Sequence, residues 1–276
     1  MLKKLLKYDL SAIFKLWWIM AVSSLGVSVI GGLCLKTLTS PHTNELSTII
    51  IIIAALGIVA TVIGLSAFLV VTMILIYVRF YKNFFTDEGY LTFTLPVKRS
   101  QLLNSKLIST FVATIATYVV LIFDVILLLA IGIPEFFNSE FWTAIGWFFK
   151  ESVKAMGIYF FIYAIEILLL ALLTSLSSML LVHICITLAS VIVKKARVIT
   201  AIGIYYGATT VVTFSAELVY LFGIMFLGNT ITNLSASATM GAIALILLVL
   251  TVFVAALTTA LYLIEYYMLD KKLNLA

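Results

Sequence analysis

Three carboxylic acids lie inside long apolar stretches of this sequence, where ionisable side chains are rare. They are Asp124, Glu166 and Glu217. A charge at the centre of a membrane helix costs about 2.5 to 3.5 kcal/mol, whereas each Leu, Ile, Phe or Val returns only about 0.3 to 0.6 kcal/mol. We therefore expect the acids to face protein or water rather than lipid. Two interpretations stay open: they line a central cavity that attracts a cationic substrate, or they are protonated or hydrogen-bonded groups that pack helices together.

The sequence contains none of the residue patterns that carry catalysis or metal binding. It has no H-E-x-x-H, C-x-x-C or G-x-S-x-G motif, so we predict no catalytic residue and no metal site. It also lacks G-x-x-x-x-G-K-[ST], the loop whose backbone amides hold nucleotide phosphates. We expect a packing hydrogen bond for His183, with a proton relay as the alternative. Glu265 is expected to be a charge at the membrane interface.

The composition predicts the class of protein that positions these residues. Of the 276 residues, 64% are hydrophobic and 11% are charged, against roughly 25% charged in soluble domains, and the mean hydropathy is +1.23. We predict one all-α polytopic membrane domain over residues 1–276, embedded in a lipid bilayer. The net charge of +5 is spread over short loops beside apolar runs. That distribution indicates membrane topology and not a nucleic-acid interface.

Six apolar runs are long enough to cross a bilayer, which needs about 20 residues. Residues 1–15 are predicted to form an amphipathic helix on the cytoplasmic membrane surface, and 133–153 a helix at the outer interface. Trp17 and Trp18 are expected to anchor the first span at the interface. Small residues for close helix contact recur there at Ser24, Ser28 and Gly32. The predicted spans are about 16–36, 48–78, 102–132, 154–193, 198–227 and 239–266.

The segment 154–193 is compatible with one crossing or, with a tight turn near Thr174 to Ser178, with two. A single crossing leaves only three of the 17 Lys and Arg residues outside the cell, as the positive-inside rule prefers. These three are Lys36, Lys150 and Lys154. We therefore predict one bent helix here and a multi-pass protein of the bacterial cytoplasmic membrane with both termini in the cytoplasm.

The loop 79–101, between the second and third spans, has an ordered pattern. An acidic pair precedes Gly89, a residue that can take the positive φ needed to end or bend a short helix. Pro96 stops any helix that precedes it, and Ser100 is predicted to be the N-cap of the next helix. The expected local structure is a short interfacial helix, a bend and a new helix.

This loop resembles the cytoplasmic loop between the second and third spans of ABC-2 type permeases, the membrane subunits of ATP-binding-cassette exporters. The order DEGYL, then LPV with a basic residue, then SKL leading into an apolar run carries the resemblance. The matching positions are Asp87, Glu88, Gly89, Tyr90, Leu91, Leu95, Pro96 and Val97. In that family the loop forms a coupling helix that docks on a separate ATPase subunit. The resemblance implies that the coupling residues here are Phe85, Asp87, Glu88, Gly89, Tyr90 and Leu91.

The resemblance also implies the partners and the activity. The chain would be the permease subunit of an exporter, paired with a second permease subunit, identical or not, and with cytoplasmic ATPase subunits. It would be no enzyme and would bind no cofactor, since ATP and Mg²⁺ would bind to the partner ATPase. The expected substrate is a cationic antimicrobial peptide or a lipid-like compound. The alternatives are an ion-coupled secondary transporter and a membrane scaffold or sensor that transports nothing.

Overall fold

Seven long α-helices make up most of the residues that the structure describes. The computed structural model describes residues 2–40, 47–86, 88–89, 93–94, 96–193, 196–231 and 236–271. The helices are α1 (Leu2–Thr39), α2 (Thr48–Phe85), α3 (Arg99–Gly132), α4 (Ser139–Met156), α5 (Ile158–Ile192), α6 (Arg197–Ile231) and α7 (Ala236–Lys271), with a 3-10 helix at Pro134–Phe137 before α4.

Six of these helices are long and apolar enough to cross a membrane, namely α1, α2, α3, α5, α6 and α7. They leave many large apolar side chains exposed, among them Ile63, Phe123 and Phe222. Contiguous apolar surface of this kind is stable next to lipid but not next to water. The predicted all-α polytopic membrane protein is therefore confirmed.

The first helix differs from the sequence prediction at its start. α1 runs without a break from Leu2 to Thr39, so an amphipathic helix over 1–15 is not separated from the first span. The physical reason is the lack of a helix breaker, because the first glycine is Gly26 and the first proline is Pro41.

The boundary between α4 and α5 lies at Gly157. This residue has φ 57° and ψ −129°, a backbone conformation that is open to glycine and strained for other residues. α4 thus extends to Met156, slightly past the helix predicted within 133–153. α5 then continues from Ile158 to Ile192 as one helix, with no turn at Thr174 to Ser178.

The chain divides into two compact units. The first comprises Met1–Phe80 and Ile108–Phe148, and the second Tyr81–Leu107 and Phe149–Ala276. In the first unit, the predicted small-residue face of α1 is confirmed. Ser24 and Ser28 are buried, and a Cβ added at Gly32 would lie 2.8 Å from the Cβ of Ile131 on α3.

The two adjacent tryptophans of α1 have different environments. Trp17 is buried in the first unit with Ala21 and Phe68, and its Nε1 donates a 2.9 Å hydrogen bond to the Thr117 hydroxyl on α3. Trp18 is 64% exposed, as an interfacial anchor would be. The prediction that Trp17 anchors the helix at the interface is wrong, because its indole packs inside the protein.

In the second unit, α5 packs against both α6 and α7. The apolar core of this unit is formed by Leu180, Leu181, Ile184, Cys185, Leu261 and Met268. Two polar contacts tie its helices together. Tyr163 donates to the Met240 carbonyl at 2.7 Å, and Tyr262 donates to the Asn104 side-chain oxygen at 2.9 Å.

Candidate functional site

The loop between α2 and α3 is shorter at both ends than the sequence predicts. α2 continues as a helix to Phe85, because 79–85 contains no glycine or proline. α3 begins at Arg99, and the Lys98 carbonyl accepts its first backbone hydrogen bond, from Gln101 at 2.9 Å. Ser100 therefore lies in the first turn of α3 and is not its N-cap.

Three of the six predicted coupling residues belong to the described part of the loop. They are Phe85, Glu88 and Gly89. The other three, Asp87, Tyr90 and Leu91, lie outside the described residues.

Gly89 approaches the backbone at the end of α2. Its amide donates a 2.7 Å hydrogen bond to the Thr86 carbonyl. A Cβ at this position would lie 2.6 Å from the carbonyl oxygen of Phe84. Its φ does not lie in the left-handed region, so the expectation of a positive φ is wrong. The structure requires glycine here because no side chain fits against the Phe84 backbone.

A chain of polar side chains joins the loop to the buried start of α3. With the Asn83 amide oriented to satisfy both neighbours, its nitrogen donates to Glu88 Oε2 at 3.0 Å and its oxygen accepts from Lys106 Nζ at 2.7 Å. Lys106 is only 8% exposed and lies 6.0 Å from the centre of the Phe84 ring, within the range of a cation–π contact. The loop carboxylate is thereby linked to a buried ammonium group.

Arg99 joins the start of α3 to the end of α7. Its Nη1 donates to the carbonyls of Leu269 at 2.6 Å and Asp270 at 2.5 Å, and its Nε lies 3.7 Å from Asp270 Oδ1. The last carbonyls of a helix carry partial negative charge, which a guanidinium stabilises. Arg99 therefore links the first residue of α3 to the end of α7.

Arg197 joins the start of α6 to the end of α2. Its Nη1 donates a 3.2 Å hydrogen bond to the Phe85 carbonyl. Beside it is an open hollow of about 560 Å³, lined by Tyr81, Ala196, Arg197, Val198 and Ile199. The start of α6 thus lies beside the end of α2.

A buried pair of ionisable side chains lies in the same unit. His183 Nδ1 on α5 lies 3.6 Å from Glu265 Oε1 on α7, and both side chains are fully buried. The expectation that Glu265 is an interfacial charge is wrong, since α5 covers it. The Lys106 ammonium acts electrostatically on the His183 ring. Lys106, His183 and Glu265 are thus three buried ionisable side chains of the second unit.

Asp124 lies in the first unit and is fully buried. Ser24 and Ser28 of α1 are its polar neighbours, but their hydroxyls donate to the carbonyls of Ala21 at 2.9 Å and Ser24 at 3.1 Å. No hydrogen bond of good geometry reaches either Asp124 oxygen. Asp124 and the two serines therefore form a small buried polar cluster between α1 and α3.

The other two acids that were predicted to line a central cavity, Glu166 and Glu217, belong to the second unit. Glu166 on α5 is half-buried and acts electrostatically on Tyr163, one turn away. Glu217 is exposed on α6. Among the described residues no hydrogen bond or ion pair joins Glu166 to Glu217.

The groups that the sequence analysis missed are Asn83 and Lys106, together with the pairing of His183 with Glu265. His183 and Glu265 are each a lone ionisable residue in an apolar or aromatic segment, which indicates burial but not the partner. Asn83 and Lys106 have other polar residues beside them and carry no such signal. Within the described ranges no three His, Cys, Asp or Glu side chains could hold a metal ion. No family model, curated protein or solved structure matches the chain.

Proposed function

We propose that this protein is the permease subunit of an ATP-binding-cassette exporter of the ABC-2 type. The observation that carries the proposal is the attachment of the α2–α3 loop to the helices of the second unit. Lys106 holds Asn83 and through it Glu88, Arg99 holds the end of α7, and Arg197 holds the Phe85 carbonyl. A displacement of the loop would therefore be transmitted to three transmembrane helices, α3, α6 and α7.

Charge-assisted hydrogen bonds suit this role. They are about twice as strong as neutral ones and have defined geometry, so an applied displacement moves the attached helix before the contact breaks. In this proposal the ends of α2 and α7 and the starts of α3 and α6 lie on the cytoplasmic side, and a partner ATPase that hydrolyses ATP moves the loop. A second permease subunit, identical or not, completes the pathway.

The direct test is recovery of the partner. The chain is purified from native membranes in mild detergent, and we expect an ATP-binding-cassette ATPase to accompany it and to hydrolyse ATP. Replacing Glu88 by Ala should weaken that association, whereas Glu135→Ala, which removes an exposed acid on the 3-10 helix, should not. Recovery of wild-type chain with no ATPase in any detergent or nanodisc would overturn the proposal.

The substrate hypothesis is tested separately. If Asp124, Glu166 and Glu217 attract a cationic peptide, replacing all three by their amides should abolish export of that peptide while membrane abundance stays unchanged. Unchanged export would reject the role of the acids and leave the ATPase partnership standing. A lipid-like substrate would then be the next to test.

The enclosed His183–Glu265 pair favours a second candidate, an ion-coupled secondary transporter. Ionisable groups inside membrane domains commonly mark ion or proton pathways. Inside-out vesicles separate the two functions. Transport by an ATP-driven exporter stops without ATP and survives an ionophore, whereas ion-coupled transport shows the reverse. A scaffold or sensor would transport in neither case.

A further inference from the structure

Three ionisable side chains from three different helices approach each other inside the second unit. Lys106 comes from α3, His183 from α5 and Glu265 from α7, with exposed fractions of 8%, 0% and 0%. His183 Nδ1 lies 3.6 Å from Glu265 Oε1, and the Lys106 ammonium acts electrostatically on the His183 ring. Neither Glu265 oxygen has a hydrogen bond of good geometry.

The cost of burying charge constrains how many protons such a cluster holds. An uncompensated buried charge is destabilised by several kcal/mol. The cluster is neutral overall when Lys106 is protonated, His183 is neutral and Glu265 is ionised. If the Lys106 charge moved away, the remaining pair would be left with one negative charge, and binding one proton would neutralise it.

We propose that His183 and Glu265 form a proton-binding site whose occupancy is set by the position of Lys106. When Lys106 moves outwards with Asn83 and Glu88, the Glu265 carboxylate takes one proton from water and becomes a carboxylic acid. When Lys106 returns, that proton is released. The inference goes beyond the proposed function and does not require an ATPase.

Lys106 is linked to the loop through Asn83. Its ammonium donates to Asn83 at 2.7 Å, and Asn83 donates to Glu88 at 3.0 Å. Movement of the loop therefore alters the distance between the Lys106 charge and His183. Coupling between two sites is reciprocal. Protonation of the pair must therefore shift the equilibrium of Lys106 towards its outward position.

Other titratable and charged groups lie on the elements around this cluster. Cys185 on α5, Tyr205 on α6 and Tyr262 on α7 border the same apolar core. On the loop side the charged neighbour is Glu88, and at the ends of α3 and α7 it is the Arg99–Asp270 pair. The thiol and phenol groups contain no carbonyl group, so they do not contribute to the infrared band of a protonated carboxylic acid.

The test is infrared spectroscopy of the full-length chain alone in lipid nanodiscs. The carbonyl band of protonated carboxylic acids is followed with pH, and the Glu265 part is the band lost in Glu265→Gln. We expect Lys106→Met to shift the midpoint of that band upwards by about one pH unit or more, equivalent to about 1.4 kcal/mol. Lys98→Met, which removes an exposed lysine near the start of α3, is the matched control and should shift it little.

Two results would overturn the proposal. One is the same midpoint in wild type and Lys106→Met, and the other is the absence of any Glu265-dependent band between about pH 4 and about pH 10. If Glu265→Gln does not fold, Glu265→Asp keeps a carboxyl and identifies the band by its altered frequency. Hydrogen exchange of the 84–106 peptides, corrected for intrinsic exchange, adds a second readout. The protection of the loop amides against hydrogen exchange should fall as the His183–Glu265 pair binds a proton in the wild type. It should stay constant in Glu265→Gln.

Discussion

The ammonium nitrogen of Lys106 lies 2.7 Å from the side-chain oxygen of Asn83, so a buried cation on α3 is solvated by an amide at the end of α2. Lys106 is almost fully covered, and water cannot replace this amide without opening the helix packing. The Asn83–Lys106 contact therefore fixes the position of the end of α2, where the loop begins, relative to α3. The same amide contacts Glu88, so the loop and the core share one hydrogen-bonded residue.

Replacing Asn83 by Ala should destabilise the protein. The substitution removes an acceptor from a buried charged donor, for which a loss of about 1 to 3 kcal/mol is expected. Thermal unfolding in nanodiscs measures the effect. The matched control is Asn138→Ala, because Asn138 is exposed next to the 3-10 helix and should change the unfolding temperature little. Equal effects of the two substitutions would contradict the role of Asn83.

The Trp17–Thr117 hydrogen bond should contribute a small coupling energy in the first unit. A double-mutant cycle with Trp17→Phe and Thr117→Val isolates it, and side-chain hydrogen bonds between membrane helices average about 0.6 kcal/mol in such cycles. Trp18→Phe is the control, since Trp18 is exposed and adjacent. A coupling energy of zero between Trp17 and Thr117, measured by unfolding, would count against the contact.

Asp124→Asn should be tolerated. An amide at this position donates hydrogen bonds to the lone pairs of Ser24 and Ser28, which the carboxylate cannot do. We expect the unfolding temperature to stay unchanged or to rise, whereas Asp124→Leu should lower it by leaving those serines without a polar neighbour. A large loss of stability in Asp124→Asn would show that the ionised carboxylate is needed for folding.

The helical content and the number of spans follow from the sequence because they depend on local apolar composition. Six apolar runs predict six long helices. The low share of charged residues excludes a soluble fold, which needs a charged surface. The ends of the elements were harder to predict. α2 carries seven residues beyond the predicted end of its span, since Arg79 to Phe85 are all acceptable in a helix and only tertiary contacts decide where it stops.

The candidate site could be predicted only in part, because its contacts join residues that are distant in the chain. Glu265 follows Leu263 and Ile264, a setting that fits the membrane interface as well as the core. Its burial depends on His183, 82 positions earlier, and sequence periodicity carries no information on that pairing. Trp17 and Trp18 illustrate the same limit, since adjacent identical residues point to different sides of one helix.

Gly89→Ala should disturb the loop, whereas the same change at Gly146 should be tolerated. The new Cβ would lie 2.6 Å from a backbone oxygen at Phe84, and backbone cannot move aside as a side chain can. We expect lower stability and, if the proposed partner ATPase exists, weaker attachment to it, measured by unfolding and co-purification. Gly146→Ala on α4 is the control, because nothing lies within 4 Å of its added Cβ and alanine favours a helix by about 1 kcal/mol. The two substitutions should therefore change stability in opposite directions, and a stabilising effect of Gly89→Ala would contradict the close approach of this residue to Phe84.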